Sequence, residues 1–261
     1  MSTPLNFQTT FDPPRGVAQD VAPGVRRLVA ENPSAMTFKG TNTYLLGTQA
    51  PFAVVDPGPA DQAHSDAIMR ACEGAIEAII VTHRHPDHVA GLAALVSASR
   101  APVHAHPGMI QRDRPALGIV EAPGQCFSGG LAIDVDHALE DGQVLMGAQG
   151  TWGIEAIHTP GHTPDHLALR LVSDPDTDTD TDTDLAPNLT GNPAGVPGDR
   201  PVILSGDHVM GWNTSVIAPP AGHMGDYYAA LEKLVVRGPA RYLPGHGDTI
   251  ADGHKVARAY L

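Results

Sequence analysis

Apolar residues along this chain fall into short continuous runs separated by stretches that repeat every three to four positions, the mixture expected of strands alternating with helices. Residues 1–24 carry several prolines and little periodicity, and are expected to wrap the surface ahead of a first strand near 25–30. Residues 41–47 and 52–55 read as two strands joined by a turn at 48–51. Asp56 ends the second strand, and Pro57 with Gly58 turns the chain. Ile68, Ala71 and Cys72 mark a helix face that stops at Gly74. The run Ile76, Ala78, Ile79, Ile80, Val81 follows and predicts a buried strand, after which Leu92, Leu95, Val96 and Ser99 mark a second helix face.

Residues 102–106 read as a short strand, and the second half then restarts with one at 131–135, a turn at Asp141 and Gly142, and one at 154–158. Residues 166–172 and 202–205 read as a strand pair. Tyr227, Leu231, Leu234 and Val235 give a helix face ending at Gly238 and Pro239, ahead of the segment 242–246. Twice a strand delivers a histidine, which predicts two similar halves facing each other. Residues 174–200 are rich in Asp-Thr repeats, Pro, Gly and Asn, with too little apolar content to fold, and are expected to be a disordered insertion. Calcium loops need glycines that the Asp-Thr run lacks.

The candidate chemistry is concentrated in Thr82-His83-Arg84-His85-Pro86-Asp87-His88, directly after the buried strand. Pro86 disfavours the helical conformation at His85, so His83 and His85 lie in an extended segment and project from one face, where both can close on a single ion. Asp87 and His88 open the next helical stretch and are turned differently, which makes room for a second ion. A lone histidine is ordinarily a surface or satisfied core residue; three with a carboxylate in this order are hard to assign to packing. Imidazole and carboxylate are good ligands for first-row metals.

His-x-His-x-Asp-His resembles the signature of the metallo-β-lactamase fold, and three later motifs recur in that family's order: His162 in Thr-Pro-Gly-His-Thr, Asp207 in Ser-Gly-Asp-His and His246 in Pro-Gly-His-Gly. Residues 40–45, 54–58 and 205–220 look like one subgroup, the β-lactamase-like hydrolases related to a mitochondrial endoribonuclease. The resemblance covers nearly the whole chain and implies an α/β fold, the four-layer αββα sandwich, with metals at one end of the sheets. It implies that His83, His85 and His162 hold a first divalent ion, that Asp87, His88 and His246 hold a second, and that Asp207 bridges them. Zinc is the expectation for such donors, although iron or manganese also suits them. Water between the two ions would become the nucleophilic hydroxide, with Asp87 orienting it and accepting its proton as the catalytic residue. Asp56 is either a turn cap or an acceptor that orients a ligand histidine.

Five other histidines and two arginines have bland readings beside functional ones. His104 and His106 read as strand-end residues. His166 and His208 are donors to the ligands or local hydrogen-bonding groups. His223 lies in a loop from which it could protonate a leaving group. Arg112 and Arg114 either meet an anionic substrate at the site's mouth or decorate a solvated loop.

The resemblance states the reaction better than the substrate. The nearest subgroup suggests a phosphodiester in single-stranded RNA; a small-molecule thioester or lactone, as in glyoxalase II-like relatives, uses the same two-metal site. A non-catalytic, metal-stabilised binding protein is the remaining class. True β-lactamases fit less well because a bridging Asp207 is atypical of them, and iron-based oxygen chemistry on persulfides ranks lower. The further small helical domain of the subgroup is not expected in this chain.

Composition changes this picture in three ways. A length of 261 residues suits one catalytic domain spanning 1–261. Cys72 and Cys126 are far apart and in no metal spacing, and there is no signal-like apolar segment, so a cytoplasmic protein without a membrane partner is expected. The formal charge of -13 opposes broad attraction to nucleic acid, but six of the acidic residues, Asp174, Asp176, Asp178, Asp180, Asp182 and Asp184, belong to the insertion. Charge therefore lowers the RNA reading without removing it. Nothing in the sequence fixes an oligomeric state.

Overall fold

The computed structural model describes residues 6–110, 130–172 and 200–261. The expectations for Arg112, Arg114, Cys126 and the insertion over 174–199 concern residues outside that set. Two sheets lie face to face. The first contains seven strands in sequence order: β1 (Gln19–Ala22), β2 (Val25–Val29), β3 (Asn42–Leu46), β4 (Phe52–Val55), β5 (Ile76–Ile80), β6 (Val103–Ala105) and β7 (His137–Ala138). The second runs β12 (Arg241–Pro244), β11 (Val202–Gly206), β10 (Leu167–Leu171), β9 (Gly153–His158) and β8 (Val144–Met146). The antiparallel pairs β1–β2 and β3–β4 are joined by short turns, whereas the parallel pairs β4–β5, β5–β6 and β11–β12 are each bridged by a helix: α1 (Gln62–Ala71), α3 (Leu92–Ser99) and α4 (Met224–Val235). The remaining helices are the short α2 (Pro86–Val89) and the terminal α5 (Gly253–Tyr260).

Side chains of a strand alternate between its two faces, and here both faces are covered. Tyr44, Leu46, Ala53, Val55, Ala78 and Ile80 point inward and meet Ile154, Ala156, Leu167, Leu169 and Leu204 of the second sheet. Their neighbours Leu45, Val54 and Ile79 point outward onto Ile68 of α1 and Leu95 of α3. On the far side, Ile157, Ala168, Ile203 and Tyr242 pack on Tyr227, Leu231 and Leu234 of α4 and Ala257 of α5. The layers are therefore helix, sheet, sheet, helix, the αββα sandwich. No helix among the described residues is long and apolar enough to cross a membrane.

Three expectations about elements need correction. The first strand comes earlier than residue 25, because Gln19–Ala22 forms a hairpin with β2 through Pro23 and Gly24, whose φ of 67° suits glycine. Residues 131–135 do not form a strand; only an isolated bridge joins Ile133 to Ile110, and the Asp136 carboxylate accepts from the Val103 amide at 2.8 Å, occupying a donor that a strand pairing would use. The actual strands there are β7 and β8. Helix α5 was not expected from the sequence at all.

His64 on α1 is buried beneath Gly58, with Nε2 2.9 Å from the Thr43 hydroxyl. Burial pushes its pKa from 6.5 down to about 4, against a smaller opposing pull from Asp61. Above pH 6.5 both folded and unfolded states leave the ring neutral. Between pH 6.5 and 4 the unfolded chain takes up a proton that the folded chain refuses, so stability is lost as pH falls, on the order of 2–3 kcal/mol from this group. Urea unfolding at pH 7 and pH 4 should show that His64→Gln loses less stability on acidification than wild type; equal losses would show that His64 is not an acid-sensitive point.

Candidate metal centre

Four loops at the carboxyl ends of strands converge at one edge of the sandwich. The chain leaving β5 supplies His83, His85, Asp87 and His88; that leaving β9 supplies His162; those leaving β11 and β12 supply Asp207 and His246. Pro86 opens α2, and His85 ahead of it is extended with ψ 142°, as the His-Pro order predicts. The extended His83–His85 pair and the helical Asp87–His88 pair consequently face different points.

Donor atoms of His83, His85, His162 and Asp207 form one group and those of Asp87, His88 and His246 a second, each within 4.8 Å. In the first, His85 Nδ1 is 3.0 Å from His83 Nε2 and 2.9 Å from His162 Nε2. In the second, His246 Nε2 is 3.1 Å from Asp87 Oδ2 and 3.3 Å from His88 Nε2. Asp207 reaches both: Oδ2 lies 3.7 Å from His162 Nε2 and 3.3 Å from His246 Nε2, while Oδ1 is 3.4 Å from His88 Nε2 and has no hydrogen-bond partner although buried. Ligands of a tetrahedral ion with bonds near 2.0 Å stand about 3.3 Å apart. The donor set and the orphaned oxygen therefore fit a pair of divalent ions sharing Asp207.

Each of these side chains is held from behind. His88 Nδ1 is 2.8 Å from Asp56 Oδ2, and the same carboxylate accepts from the Thr82 amide at 2.8 Å and the Thr82 hydroxyl at 2.7 Å. His83 Nδ1 lies 3.0 Å from that hydroxyl, which accepts from it when the hydroxyl hydrogen goes to Asp56. His162 Nδ1 donates to the Val216 carbonyl at 2.7 Å and His246 Nδ1 to that of Gly40 at 3.3 Å. These contacts assign the proton to the remote nitrogen and leave the inward one as a lone-pair donor. Asp56 thus orients a ligand histidine rather than capping a turn.

The charges divide the two groups. Burial, reinforced by the neighbouring imidazoles, holds His83 well below its ordinary pKa and His85 at about 4, so the imidazoles of the first group are neutral and its negative charge sits on Asp207. At His88 and His246 burial pulls the same way but is outweighed by the carboxylates, chiefly Asp87 at the former and Asp207 at the latter; His88 lies well above 6.5 and His246 at about 9. In the absence of ions, protons on these two rings neutralise Asp87 and Asp207.

The remaining sequence candidates take structural roles. His166 is buried and neutral; its Nε2 accepts from the Asp207 amide at 3.1 Å and its Nδ1 is 2.8 Å from the Thr159 hydroxyl, so it positions Asp207 through the backbone. His208 is buried against Tyr227, with ring centroids 4.5 Å apart. His223 caps α4, accepting from the Asp226 amide at 3.2 Å, and does not line the cavity. His104 is not at a strand end but in the middle of β6, its ring centroid 4.9 Å from that of His137, whereas His106 follows the strand and stacks on His158 at 4.2 Å.

Sequence reasoning used residues 40–45 only as a likeness and missed their work. Thr41 Oγ1 donates to Asp87 Oδ2 at 3.2 Å; Asn42 Nδ2 donates to the Pro244 and Gly247 carbonyls at 2.8 and 2.9 Å; Tyr44 OH donates to Pro244 at 2.7 Å. This strand end buttresses the loop that carries His246. The Arg84–Asp165 pair, at 2.6 Å, likewise ties the His83–His85 loop to the His162 loop. A Cβ on Gly245 would stand 2.3 Å from Asp207 Oδ1, so Pro-Gly-His needs its glycine for close approach.

The sequence profile of the metallo-beta-lactamase superfamily matches residues 36–175, a span that contains His83, His85, Asp87, His88 and His162. The chain belongs to that superfamily. It is 29% identical to the beta-lactamase-like protein 2 homolog of Drosophila melanogaster over 87% of its length, and 26% identical to the atrochrysone carboxyl ACP thioesterase dmxR1 of a Cryptosporiopsis species over 95%. It spans 65% and 62% of those two proteins, less than two-thirds of either. Among solved structures it superposes on TTHA1623 in a di-iron-bound form with a TM-score of 0.53 and 24% identity, covering 85% of this chain and 92% of that one.

Removing the carboxylate behind His88 tests the two-group geometry. Asp56→Asn should weaken retention of one metal equivalent per chain by about 10–100-fold while the other is kept, as measured by elemental analysis after dialysis against a graded chelator. Unchanged retention of both would detach Asp56 from the centre.

Proposed function

We propose that residues 1–261 form one catalytic domain, a dinuclear metal-dependent hydrolase of small-molecule thioesters or esters. His83, His85 and His162 hold one ion, Asp87, His88 and His246 the other, and Asp207 lies between. The observation that carries the substrate class is the cavity above the donors. It measures about 190 Å³, its floor is His85, Asp87, His162, Asp207 and His246, and its walls include Met36, Thr37, Pro86, Met210 and Val216. Thioether and aliphatic walls suit an uncharged group beside a carbonyl. A phosphodiester brings anionic neighbours that call for cations, and the described lining offers no lysine or arginine. The resemblance to a protein named as an acyl-carrier thioesterase supports the same reading. Single-stranded RNA, first in order from sequence alone, becomes the second reading, and lactones fall within the ester class.

Two divalent ions, when bound, supply a water acidified to a pKa of about 7 and Lewis acidity at the attacked oxygen. Zinc is the proposed metal; iron suits the same donors. The chain's own contribution is positional. Burial opposes ionisation of Asp87, but in the ion-free site the charge of His88 and the hydrogen bond from His246 outweigh it, so the carboxyl is held well below the usual range there. The Thr41 hydroxyl at Oδ2 fixes its rotation, and Asp87 faces the cavity where it can take the proton of an attacking water. A thiol has a pKa near 8.5, so a thiolate departs without a dedicated acid, consistent with His223 serving only as a helix cap.

Metal-loaded protein should hydrolyse a simple acyl thioester, followed by thiol release. EDTA should abolish turnover, and Asp207→Ala should lower kcat/KM by at least about a hundredfold. Cleavage of a short single-stranded RNA without thioester turnover would sink this reading in favour of the nuclease. Retention of both metals with neither activity would leave a metal-stabilised binding protein.

A further inference from the structure

The cavity is a slot between two loops, and both are fixed. One, residues 34–38, carries Ser34, Met36 and Thr37; the other, residues 210–216, carries Met210 and Val216. Phe38 stacks on Trp212 across the gap with ring centroids 4.8 Å apart and planes 8° from parallel. The Phe38 φ of 54° turns that loop at the contact. On the other side the Tyr260 hydroxyl of α5 donates to the carbonyls of Met210 and, at 2.8 Å, of Asn213. Ser34 Oγ accepts from the Thr37 amide at 3.1 Å and closes the first loop on itself. The width of the slot is thus set by an aromatic stack and by hydrogen bonds to backbone, independently of the Met36, Met210 and Val216 side chains that line it.

We infer that this slot is an acyl-selecting subsite: it receives the short acyl chain of a thioester, with Met36, Met210 and Val216 setting the length limit and the thiol portion passing out through the mouth. The inference rests on the hydrolase reading above and specifies its substrate. A pocket that encloses a whole drug-sized ligand measures roughly 300–1,000 Å³, so a cavity of 190 Å³ can enclose only one of the two groups flanking the carbonyl. The same space also takes the attacked carbonyl beside His85, Asp87, His162, Asp207 and His246, so the enclosed group is a short one. Carrier thiols are far longer than that and must depart to solvent, which leaves the acyl chain as the enclosed part. Met210 is buried while Met36 is 38% exposed, so the slot has a closed wall and one at its rim.

The test is a kcat/KM series of metal-loaded protein on acyl thioesters of one thiol, from acetyl to dodecanoyl, for wild type, Met36→Ala and Val216→Phe. Each protein is first checked for two metals per chain. Wild type should be fastest on chains shorter than octanoyl and fall by about tenfold or more by decanoyl. Met36→Ala, a change at the rim that spares the fold, should extend the optimum to longer chains; Val216→Phe should shorten it towards acetyl. Inhibition by the corresponding carboxylates should follow the same order, with the change in KM rather than kcat. Thioester turnover that is indifferent to chain length, or an optimum unmoved in both variants, overturns the subsite and leaves the hydrolase standing. No thioester turnover at any length, with RNA cleaved, overturns the hydrolase reading and the subsite with it.

Discussion

Five imidazoles and two carboxylates have their electron-pair donors aimed at one another in a largely buried space. Acceptors at 3 Å repel, and burying carboxylates without positive charge is costly. The arrangement needs positive charge within it, from ions or, without them, from the protons on His88 and His246, and every other feature of this end of the molecule follows from holding it in place. The Val216 carbonyl holds His162, that of Gly40 holds His246, and Asp56 with Thr82 holds His88 and His83. None of these supports makes the site; each removes a rotation that would let a ligand turn away.

Such a centre needs a rigid frame, and the αββα sandwich supplies one. The β5 strand in one sheet and β9, β11 and β12 in the other are packed on both faces, so their ends are fixed by the core rather than by the loops. Glycine enters only where the backbones approach too closely for a side chain. Gly206, with φ 50°, would otherwise drive a Cβ to 2.5 Å from His166 Nε2, and Gly245 would collide with Asp207. The strand-to-ligand turns are as much packing solutions as chemical ones.

The parts of this that could be read from sequence were the local ones. The apolar run before His83, the extended conformation enforced by Pro86 and the helix faces of α1, α3 and α4 are each written within a dozen residues. The supports of the centre are not. Asn42 and Tyr44 bond to Pro244, about two hundred residues away, and no spacing rule reports such a contact. Strand β7 has only two residues, and α5 is a short helix containing glycine, histidine and lysine, too brief for periodicity to declare it. The expected strand at 131–135 failed because a side-chain carboxylate of Asp136, and not a backbone partner, satisfies the Val103 amide. The slot was equally hidden, since Met36, Met210 and Val216 share no pattern until the loops are clipped together.

Val216 joins the two levels of the site. Its carbonyl fixes the tautomer of His162, and its side chain faces the cavity. Any change that moves the backbone of residues 210–216 therefore disturbs a proposed metal ligand and the cavity wall together, while a change confined to the Val216 side chain alters only the wall. The Phe38–Trp212 stack and the Tyr260 hydroxyl act on the backbone side of that division. This separation lets cavity size vary with little effect on the donors: the groups that span the two loops, Phe38, Trp212 and Tyr260, do not line the slot, while the apolar side chains that do, Met36, Met210 and Val216, form no part of that stack or of those hydrogen bonds.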